Sequence, residues 1–367
     1  MHILIDAIND NAEMRGPDRY LIGLLDGLAE IDRTTRYTVC HAPWQKPFQS
    51  LSLPANFNTV CLHPPRHRIP RVAWHAVEFP RWVRQVKPDV AHLPNIIFAP
   101  LLGCPVVMTV HDLAHFRFPE KFGPLRGRLQ RGLIRAALRG ADRAIAVSAF
   151  TRDDMRAFTS YPSARTTVIH EGGPAPRHRL APAPDAERFF LYVGVIERSK
   201  NIEQLVGEFC DSEQLRKEGY ELRIVGRPGN AMSRVERLVS ARSDGRVKLM
   251  GFVSQDSLNE LYRDCSAMVF PSLVEGFGLV LLEAMAQGAP LIAMNTSAIP
   301  EVVGDAGLLV DPADAGGIRR AMERLASDPS YCRELEQRGY RRLGEFSWVE
   351  AARQTRLLYD KAAGRTS

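Results

Sequence analysis

The residues best placed to bind a charged ligand stand together between Phe270 and Pro290. An apolar run ends at Phe270, the next loop reads Glu275-Gly276-Phe277-Gly278, and a helical pattern begins at Leu279 and contains Glu283. Glycines let the backbone approach a ligand, and the free N–H groups at a helix N-terminus bind anions. Carboxylates accept hydrogen bonds from vicinal hydroxyls. A sugar nucleotide would satisfy both parts, although a glycine turn before a core helix has the same spacing.

A histidine is the second candidate. His111 directly follows the apolar run Val106–Val110, and Asp112 comes next. An imidazole at the end of a strand could orient a reacting group, but in this position a hydrogen-bonded structural histidine is the more common case. Asp112 could cap the turn that follows.

Short apolar runs alternate with segments of helical period, which is typical of parallel sheets covered by helices. Strands are predicted at His2–Ala7, Tyr37–His41, Thr59–Leu62, Val90–Leu93, Val106–Val110, Ala144–Val147, Thr167–His170, Phe189–Gly194, Glu221–Val225, Val247–Met250, Ala267–Phe270, Pro290–Ala293 and Gly307–Val310. Helices are predicted at Asp18–Ile31, Val72–Gln85, Pro124–Leu138, Thr151–Phe158, Asn201–Phe209, Met232–Ser240, Gln255–Cys265, Leu279–Gln287, Ala315–Ser327 and Trp348–Ala362.

The length of 367 residues exceeds what one core usually organises, and a proline-rich stretch divides the pattern. We expect an α/β protein with two Rossmann-like domains that face a cleft. Residues 1–175 would form the first, acceptor-binding domain, 176–187 a linker, and 188–347 the second, donor-binding domain. The helix 348–362 would cross back to the first domain. Ligands in such folds bind beyond the carboxyl ends of the strands.

The composition is that of a globular protein, with 45% hydrophobic and 25% charged residues. Residues 1–185 hold 24 Lys and Arg against 16 Asp and Glu, whereas residues 186–367 hold 24 against 26. A basic first half favours partners that carry phosphate. The six cysteines show no C-x-x-C spacing, and no basic, apolar leader opens the chain, so we expect a cytoplasmic protein that is at most peripheral on the inner face of the plasma membrane.

The Phe270–Pro290 segment resembles the E-x7-E region of the retaining glycosyltransferases of family 4, which have the GT-B fold. Further similarities follow in order along nearly the whole chain, and this collinearity is more specific than any one motif. They lie at Thr109–Leu113, Val147–Thr151, Tyr192–Glu197 with Lys200-Asn201, Ile224–Gly226, Gly251–Val253, Ser297–Ala306 and Val310–Pro312.

The resemblance implies catalytic roles for His111, Glu275 and Lys200. Glu275 would contact the donor sugar, His111 would lie beside the reacting centre, and Lys200 would bind the diphosphate and stabilise the leaving nucleotide. Glu283 would hold the ribose hydroxyls. The remaining donor-binding residues would be Gly16, Arg198, Gly226, Phe252, Val253, Gly276, Phe277, Gly278 and Leu279.

Two departures from the family pattern leave Arg198 and Asp18 without a secure role. Ser199 stands where relatives usually have an arginine, and Asp18 stands where a second glycine is common. No Asp-x-Asp occurs in the chain, so neither a metal site nor a cofactor is expected. The donor would be a nucleotide diphosphate sugar, GDP-mannose or a UDP-sugar, and the sugar would be mannose.

The resemblance implies transfer of a hexose, with retention, to a hydroxyl of a saccharide or lipid-linked acceptor of the polysaccharide or lipopolysaccharide kind. A nucleotide-sugar 2-epimerase of the same fold and a non-catalytic scaffold remain alternatives. Nucleic acid is a poor partner because the basic half lacks interleaved aromatic residues.

One helical segment is strongly basic. Arg128, Arg131, Arg135 and Arg139 recur at helical spacing, and Leu125, Leu129 and Leu133 form another face. Such a helix fits either an anionic membrane surface or an arginine face in solvent on a helix packed against the sheet.

Overall fold

The computed structural model describes residues 1–9, 16–119, 123–177 and 187–365. These residues fall into two compact units. Unit 1 consists of Met1–Gly172 and Ser347–Ser367, and unit 2 consists of Gly173–Phe346. The expected linker lies largely outside the described residues.

Unit 1 is built on a parallel sheet in the order β3-β2-β1-β4-β5-β6-β7. Its strands are β1 (His2–Asp6), β2 (Arg36–His41), β3 (Phe57–Cys61), β4 (Val90–Leu93), β5 (Val106–Val110), β6 (Arg143–Ala146) and β7 (Thr166–Val168). Its helices are α1 (Gly16–Ile31), α2 (Lys46–Gln49), α3 (Arg68–Val86), α4 (Ala114–Arg117), α5 (Pro124–Arg139), α6 (Ala149–Thr159) and the C-terminal α15 (Trp348–Ala362). Apolar residues from both faces of the sheet form two buried clusters under these helices.

The C-terminal helix α15 packs against α1 and completes one of these clusters. Two glycines make the close approach possible. A Cβ atom built on Gly23 would lie 2.2 Å from the ring of Trp348, and one on Gly27 would lie 2.4 Å from the Trp348 carbonyl oxygen. Residues 348–362 therefore belong structurally to the first unit.

Unit 2 has a parallel sheet in the order β10-β9-β8-β11-β12-β13. Its strands are β8 (Phe189–Val193), β9 (Glu221–Val225), β10 (Val247–Gly251), β11 (Ala267–Phe270), β12 (Leu291–Met294) and β13 (Gly307–Val310). Its helices are α7 (Ile202–Cys210), α8 (Glu213–Lys217), α9 (Met232–Arg242), α10 (Gln255–Asp264), α11 (Leu279–Ala286), α12 (Ile299–Val303), α13 (Gly317–Ser327) and α14 (Pro329–Leu343).

The two Rossmann-like sheets confirm the predicted fold class, and most predicted elements agree with the structure to within a few residues. The long helix α14 has no counterpart among the predicted helices. Asp328 caps it by accepting a hydrogen bond from the Tyr331 N–H, and Pro329 stands in its first turn. Few of its residues are apolar, although the Asp-Pro start is a helix signal in the sequence.

Candidate active site

In unit 2, the loops after β8 and β11 bring Lys200 and Glu275 together. These strands are neighbours at the point where the order of connections reverses, which is where parallel α/β sheets bind ligands. Lys200 ends a short 3₁₀ turn (Arg198–Lys200) after β8, and Glu275 lies in the loop after β11. Lys200 Nζ lies 2.6 Å from Glu275 Oε1, with 22% and 14% of the two side chains exposed.

Hydrogen bonds connect these two loops to each other and to the loop after β12. The Leu273 N–H donates to the Ser199 carbonyl oxygen at 2.8 Å. The Glu275 N–H donates to Ser297 Oγ at 3.0 Å, and that hydroxyl donates to the Thr296 carbonyl oxygen at 2.7 Å. Ser297 is thus a supporting residue whose role the sequence did not show, because it lies in the loop after a third strand, β12.

The pair can still bind a ligand. An ammonium group has three N–H donors and Glu275 takes one, so Lys200 can also donate to an anionic oxygen. A carboxylate has about four acceptor positions, so Glu275 can accept from hydroxyl groups as well. One cation for phosphate and one acceptor for hydroxyls is the chemistry that a sugar diphosphate needs.

The glycine turn before α11 has a conformation that favours glycine. Gly278 has φ 111° and caps the helix, which begins at Leu279. Phe277 is buried and packs edge-on against Phe346 at 5.7 Å between ring centroids. Its side chain therefore anchors the turn between Gly276 and Gly278 in the core.

Glu283 lies on α11, one turn beyond the helix start. It accepts a hydrogen bond from Tyr262 Oη at 3.3 Å, and Tyr262 is fully buried on α10. This contact orients the carboxylate from the side of α10. Glu275 and Glu283 lie on the same strand–loop–helix segment. Each is held by its own hydrogen bonds, Glu275 by those to Lys200 and Ser297 and Glu283 by that from Tyr262.

Four other predicted donor residues lie at the same edge of the sheet, after β8, β9 and β10. Gly226 allows close packing, since a Cβ atom there would lie 1.8 Å from the Gly194 carbonyl oxygen. Phe252 is 67% exposed and lies under the Arg227 guanidinium at 4.9 Å from its ring centroid.

Arg198 is exposed, and its backbone N–H donates to Asn230 Oδ1 at 3.0 Å. Val253 is half-buried.

In unit 1, His111 lies at the carboxyl end of β5 and is held by the protein on three sides. Its Nδ1 is 3.0 Å from Glu171 Oε1, and its Nε2 is 3.0 Å from the Pro94 carbonyl oxygen. The ring of Tyr20 packs edge-on against it at 4.8 Å between centroids. Burial by itself lowers the pKa of His111, but the hydrogen bond and charge of Glu171, assisted by the Pro94 carbonyl and Asp112, raise it overall.

A second histidine nearby, His92, has a lowered pKa, whereas that of His111 is raised. His92 is fully buried on β4 and bonds Tyr359 Oη at 2.7 Å and Thr109 Oγ1 at 2.8 Å. Thr109 in turn bonds Tyr20 Oη at 3.1 Å. Burial, together with the nearby charge of His111, lowers the pKa of His92 to about 3. This neutral network ties β4, β5 and α1 to the C-terminal helix α15.

A cavity of about 600 Å³ opens at the carboxyl ends of β1, β4 and β5, within the size range of ligand sites. Its polar lining includes Asn95, His111 and Asp112, and its apolar lining includes Phe98 and Ile134.

His75 also lines the cavity, and its Nε2 lies 3.1 Å from the fully buried Asp6. Neither Asp6 nor His75 is among the predicted site residues, although an aspartate at the end of β1 is a signal that the sequence contains.

Gly16 is the first residue of α1, and a Cβ atom there would meet nothing within 4 Å. Asp18 is buried, and its Oδ1 accepts a hydrogen bond from Asn9 Nδ2 at 2.6 Å. The carboxylate is therefore held by the protein, which explains how it is accommodated at this position. Pro17, between them, lines the cavity.

The basic helix α5 differs from the amphipathic expectation. Leu125 and Leu129 are 81% and 65% exposed. Arg131 and Arg135 are instead half-buried, and they donate to the carbonyl oxygens of His115 and Phe158 at 3.4 and 3.0 Å. The exposed leucines thus lie at the start of α5, whereas Ile134, Ala137 and Leu138 from its second half pack into the core.

Among the residues that the structure describes, no three His, Cys, Asp or Glu side chains come together as metal ligands. A helix of the length and apolarity needed to cross a bilayer is also absent from the described part of the chain.

Comparison with known proteins gives two family matches that divide the chain. Residues 14–172 match the family described as Glycosyltransferase Family 4, and residues 178–342 match Glycosyl transferases group 1. The O-antigen chain mannosyltransferase B of Escherichia coli is 30% identical over 288 residues, which cover 76% of this chain and 75% of that protein.

Solved structures have the same fold. Sucrose-phosphate synthase from Thermosynechococcus elongatus superposes with a TM-score of 0.79 over 100% of both chains at 22% identity. Anabaena HepE, solved in complex with UDP-glucose, superposes with a TM-score of 0.75 over 98% of this chain and 100% of the other at 17% identity.

Proposed function

Since the chain belongs to the glycosyltransferases, with a family 4 and a group 1 segment, we propose that it is a retaining mannosyltransferase. The donor would be a nucleotide diphosphate sugar, with GDP-mannose the first choice and UDP-sugars the second. The acceptor would be a hydroxyl of a saccharide or lipid-linked saccharide. The observation that supports this best is the Lys200–Glu275 pair at the ligand-binding edge of unit 2.

In this mechanism Lys200 donates to a diphosphate oxygen and stabilises the negative charge that grows as the glycosidic bond breaks. Glu275 accepts hydrogen bonds from the sugar hydroxyls, and Glu283 accepts from the ribose hydroxyls. The acceptor attacks from the face that the nucleotide leaves, and the departing phosphate oxygen takes the acceptor's proton. The configuration at the anomeric carbon is then retained.

We also propose that transfer needs no metal ion or cofactor, because Lys200 supplies the positive charge. Turnover that is unchanged after EDTA treatment would support this proposal, and activity lost with EDTA and restored by Mg²⁺ or Mn²⁺ would contradict it.

The test of the main proposal is an assay of the purified chain with GDP-mannose, UDP-glucose and UDP-galactose, with and without saccharide acceptors. We expect acceptor-dependent release of nucleotide and an axial new linkage by NMR. An epimeric sugar nucleotide formed without acceptor would instead indicate the 2-epimerase. No turnover, with no thermal stabilisation by any donor, would indicate a non-catalytic scaffold.

We further propose that unit 1 docks on an anionic membrane surface. Helices α3 and α5 both line the cavity, and each carries exposed apolar residues beside arginines: Ile69 on α3, Leu125 and Leu129 on α5. Apolar side chains insert at the headgroup boundary, and each nearby cation adds ~1 kcal/mol at an anionic surface. A lipid-linked acceptor would then be within reach of the cavity.

Flotation with phosphatidylglycerol vesicles tests this docking. We expect binding at low salt that weakens at 0.5 M salt and weakens again in Leu125→Ser/Leu129→Ser. Leu357→Ser on α15, which removes another exposed leucine, is the matched control and should bind normally. Absence of binding at low salt would remove the membrane proposal.

A further inference from the structure

Both ring nitrogens of His111 face oxygen atoms that accept hydrogen bonds. Glu171 Oε1 lies 3.0 Å from Nδ1, and the Pro94 carbonyl oxygen lies 3.0 Å from Nε2. A ring nitrogen bonds such an atom by donating an N–H, and the neutral imidazole has only one N–H. The arrangement is satisfied in full when His111 is an imidazolium and Glu171 is a carboxylate.

We propose that Glu171 is a positioning residue that keeps His111 protonated and fixed, so that His111 acts on the cavity through its positive charge and not as a base. Glu171 follows β7, 60 residues from His111, and its side chain is 5% exposed. A carboxylate so buried retains its charge most readily beside a cation. This inference rests on the proposed function only in assigning the charge a use in transfer.

The other groups around His111 define its electrostatics. Asp112, the next residue, favours the charged form of His111, whereas His92 on β4 has a lowered pKa because of burial and the charge of His111. Tyr20 on α1 presents its ring edge-on, and burial raises the pKa of its hydroxyl, so this group stays neutral. Glu171 is thus the carboxylate that contacts the ring directly, and its charge decides the state of His111.

The charge has a defined place. His111 lines the cavity with 18% of its side chain exposed, while both its N–H groups are bonded to the protein. A ligand in the cavity therefore meets the positive field of a ring that gives up no proton. Oxygen atoms that gain negative charge during transfer are the ligand groups such a field stabilises.

The test replaces Glu171 with glutamine, which keeps the size and one acceptor oxygen but removes the charge. We expect the pKa of His111 to fall by about one unit or more, because an opposite charge in contact shifts a pKa by roughly 1–3 units. The basic limb of the kcat/KM profile should move to lower pH by the same amount, which lowers activity about fivefold at the midpoint of the wild-type limb, about tenfold above it and little at pH 6. Glu171→Asp keeps the negative charge, so the pKa of His111 should lie close to its wild-type value.

Two controls keep the outcome decisive. Asp153→Asn removes an exposed carboxylate, paired with Arg152 on the same unit, and should leave the basic limb in place. Ring ¹⁵N NMR of His111 across pH reads its protonation directly, without any transfer reaction. A neutral His111 at pH 7 in the wild type, or a Glu171→Gln variant with uniformly lower activity and an unmoved limb, would overturn the proposal. If no donor is turned over, the NMR titration still decides it.

Discussion

Each unit carries a cation beside a carboxylate at the carboxyl edge of its sheet, but the two pairs have different bonding capacity. Lys200 in unit 2 uses one of three donors on Glu275, whereas His111 in unit 1 uses both of its donors on Glu171 and the Pro94 carbonyl. The pair in unit 2 can open toward a ligand and share its hydrogen bonds. The pair in unit 1 is already saturated, so it contributes charge and rigidity. Equal fold and equal position therefore do not imply equal roles.

The largest expected effect comes from breaking the pair in unit 2. Glu275→Gln and Lys200→Met should each lower kcat/KM by roughly 10²–10³-fold, at every pH tested, because each removes a charge that interacts directly with the donor. The double variant should lose less than the product of the two losses, since each single change leaves its partner's charge uncompensated.

Lys248→Met is the matched control for this experiment. The exposed Lys248 on β10 forms an ion pair with Glu221 on β9 at 3.8 Å, so its loss should leave turnover near the wild-type value. Full multiplicativity of the Lys200 and Glu275 losses would mean that the two residues act independently and would contradict the coupled site.

The next effect concerns the tight loop packing of unit 2, where the loops after β8 and β9 approach each other closely. Gly226→Ala should lower the free energy of unfolding of unit 2 by roughly 3 kcal/mol, because its Cβ would collide with the Gly194 carbonyl oxygen at 1.8 Å. Calorimetry, in which the two units can unfold separately, should show the lower transition temperature in one unit only.

Gly219→Ala separates the clash from backbone strain. Gly219 also has a positive φ, 71°, but a Cβ atom there would meet nothing within 4 Å, so the cost should be about 1 kcal/mol. Equal losses in the two variants would show that backbone conformation, and not the close approach of the loops, makes Gly226 necessary.

The same comparison shows why the sequence predicts one site better than the other. Glu275, Gly278 and Glu283 fall within nine residues, so a strand–turn–helix pattern is enough to place them. The partner of His111 is 60 residues away, and nothing in the local pattern marks Glu171. Pairings between distant loops depend on the strand order of the sheet, which periodicity does not determine.

The exposure of Leu125 and Leu129 was equally hidden from the pattern. Helical spacing shows that leucines and arginines occupy different faces of α5, but it does not say which face meets the protein. In the structure Ile134, Ala137 and Leu138 pack into the core, and Arg131 and Arg135 donate to carbonyl oxygens of neighbouring segments.

The smallest effect distinguishes the two histidines of unit 1 by the sign of their pH dependence. The pKa of His92 is about 3 in the folded protein against 6.5 in an unfolded chain, so as pH falls below 6.5 the unfolded state binds the proton first. The free energy of unfolding should therefore drop by about 1.4 kcal/mol per pH unit from this group. His111 has a raised pKa, so its contribution is present below pH 6.5 and is lost as pH rises through the folded value.

Denaturant unfolding at pH 5.5 and 7.5 measures the two contributions. Between pH 7.5 and pH 5.5, the free energy of unfolding of His92→Gln should fall less than that of the wild type, because the residue that resists protonation is gone. His111→Gln should show the opposite pattern. Its loss of free energy of unfolding relative to the wild type should be larger at pH 5.5 than at pH 7.5. His63→Gln, at an exposed site on the same unit, should change neither slope. If His111→Gln changes the pH dependence in the direction expected for His92→Gln, His111 is neutral in the folded protein, and the role of Glu171 in charging it would fail together with the contrast between the two units.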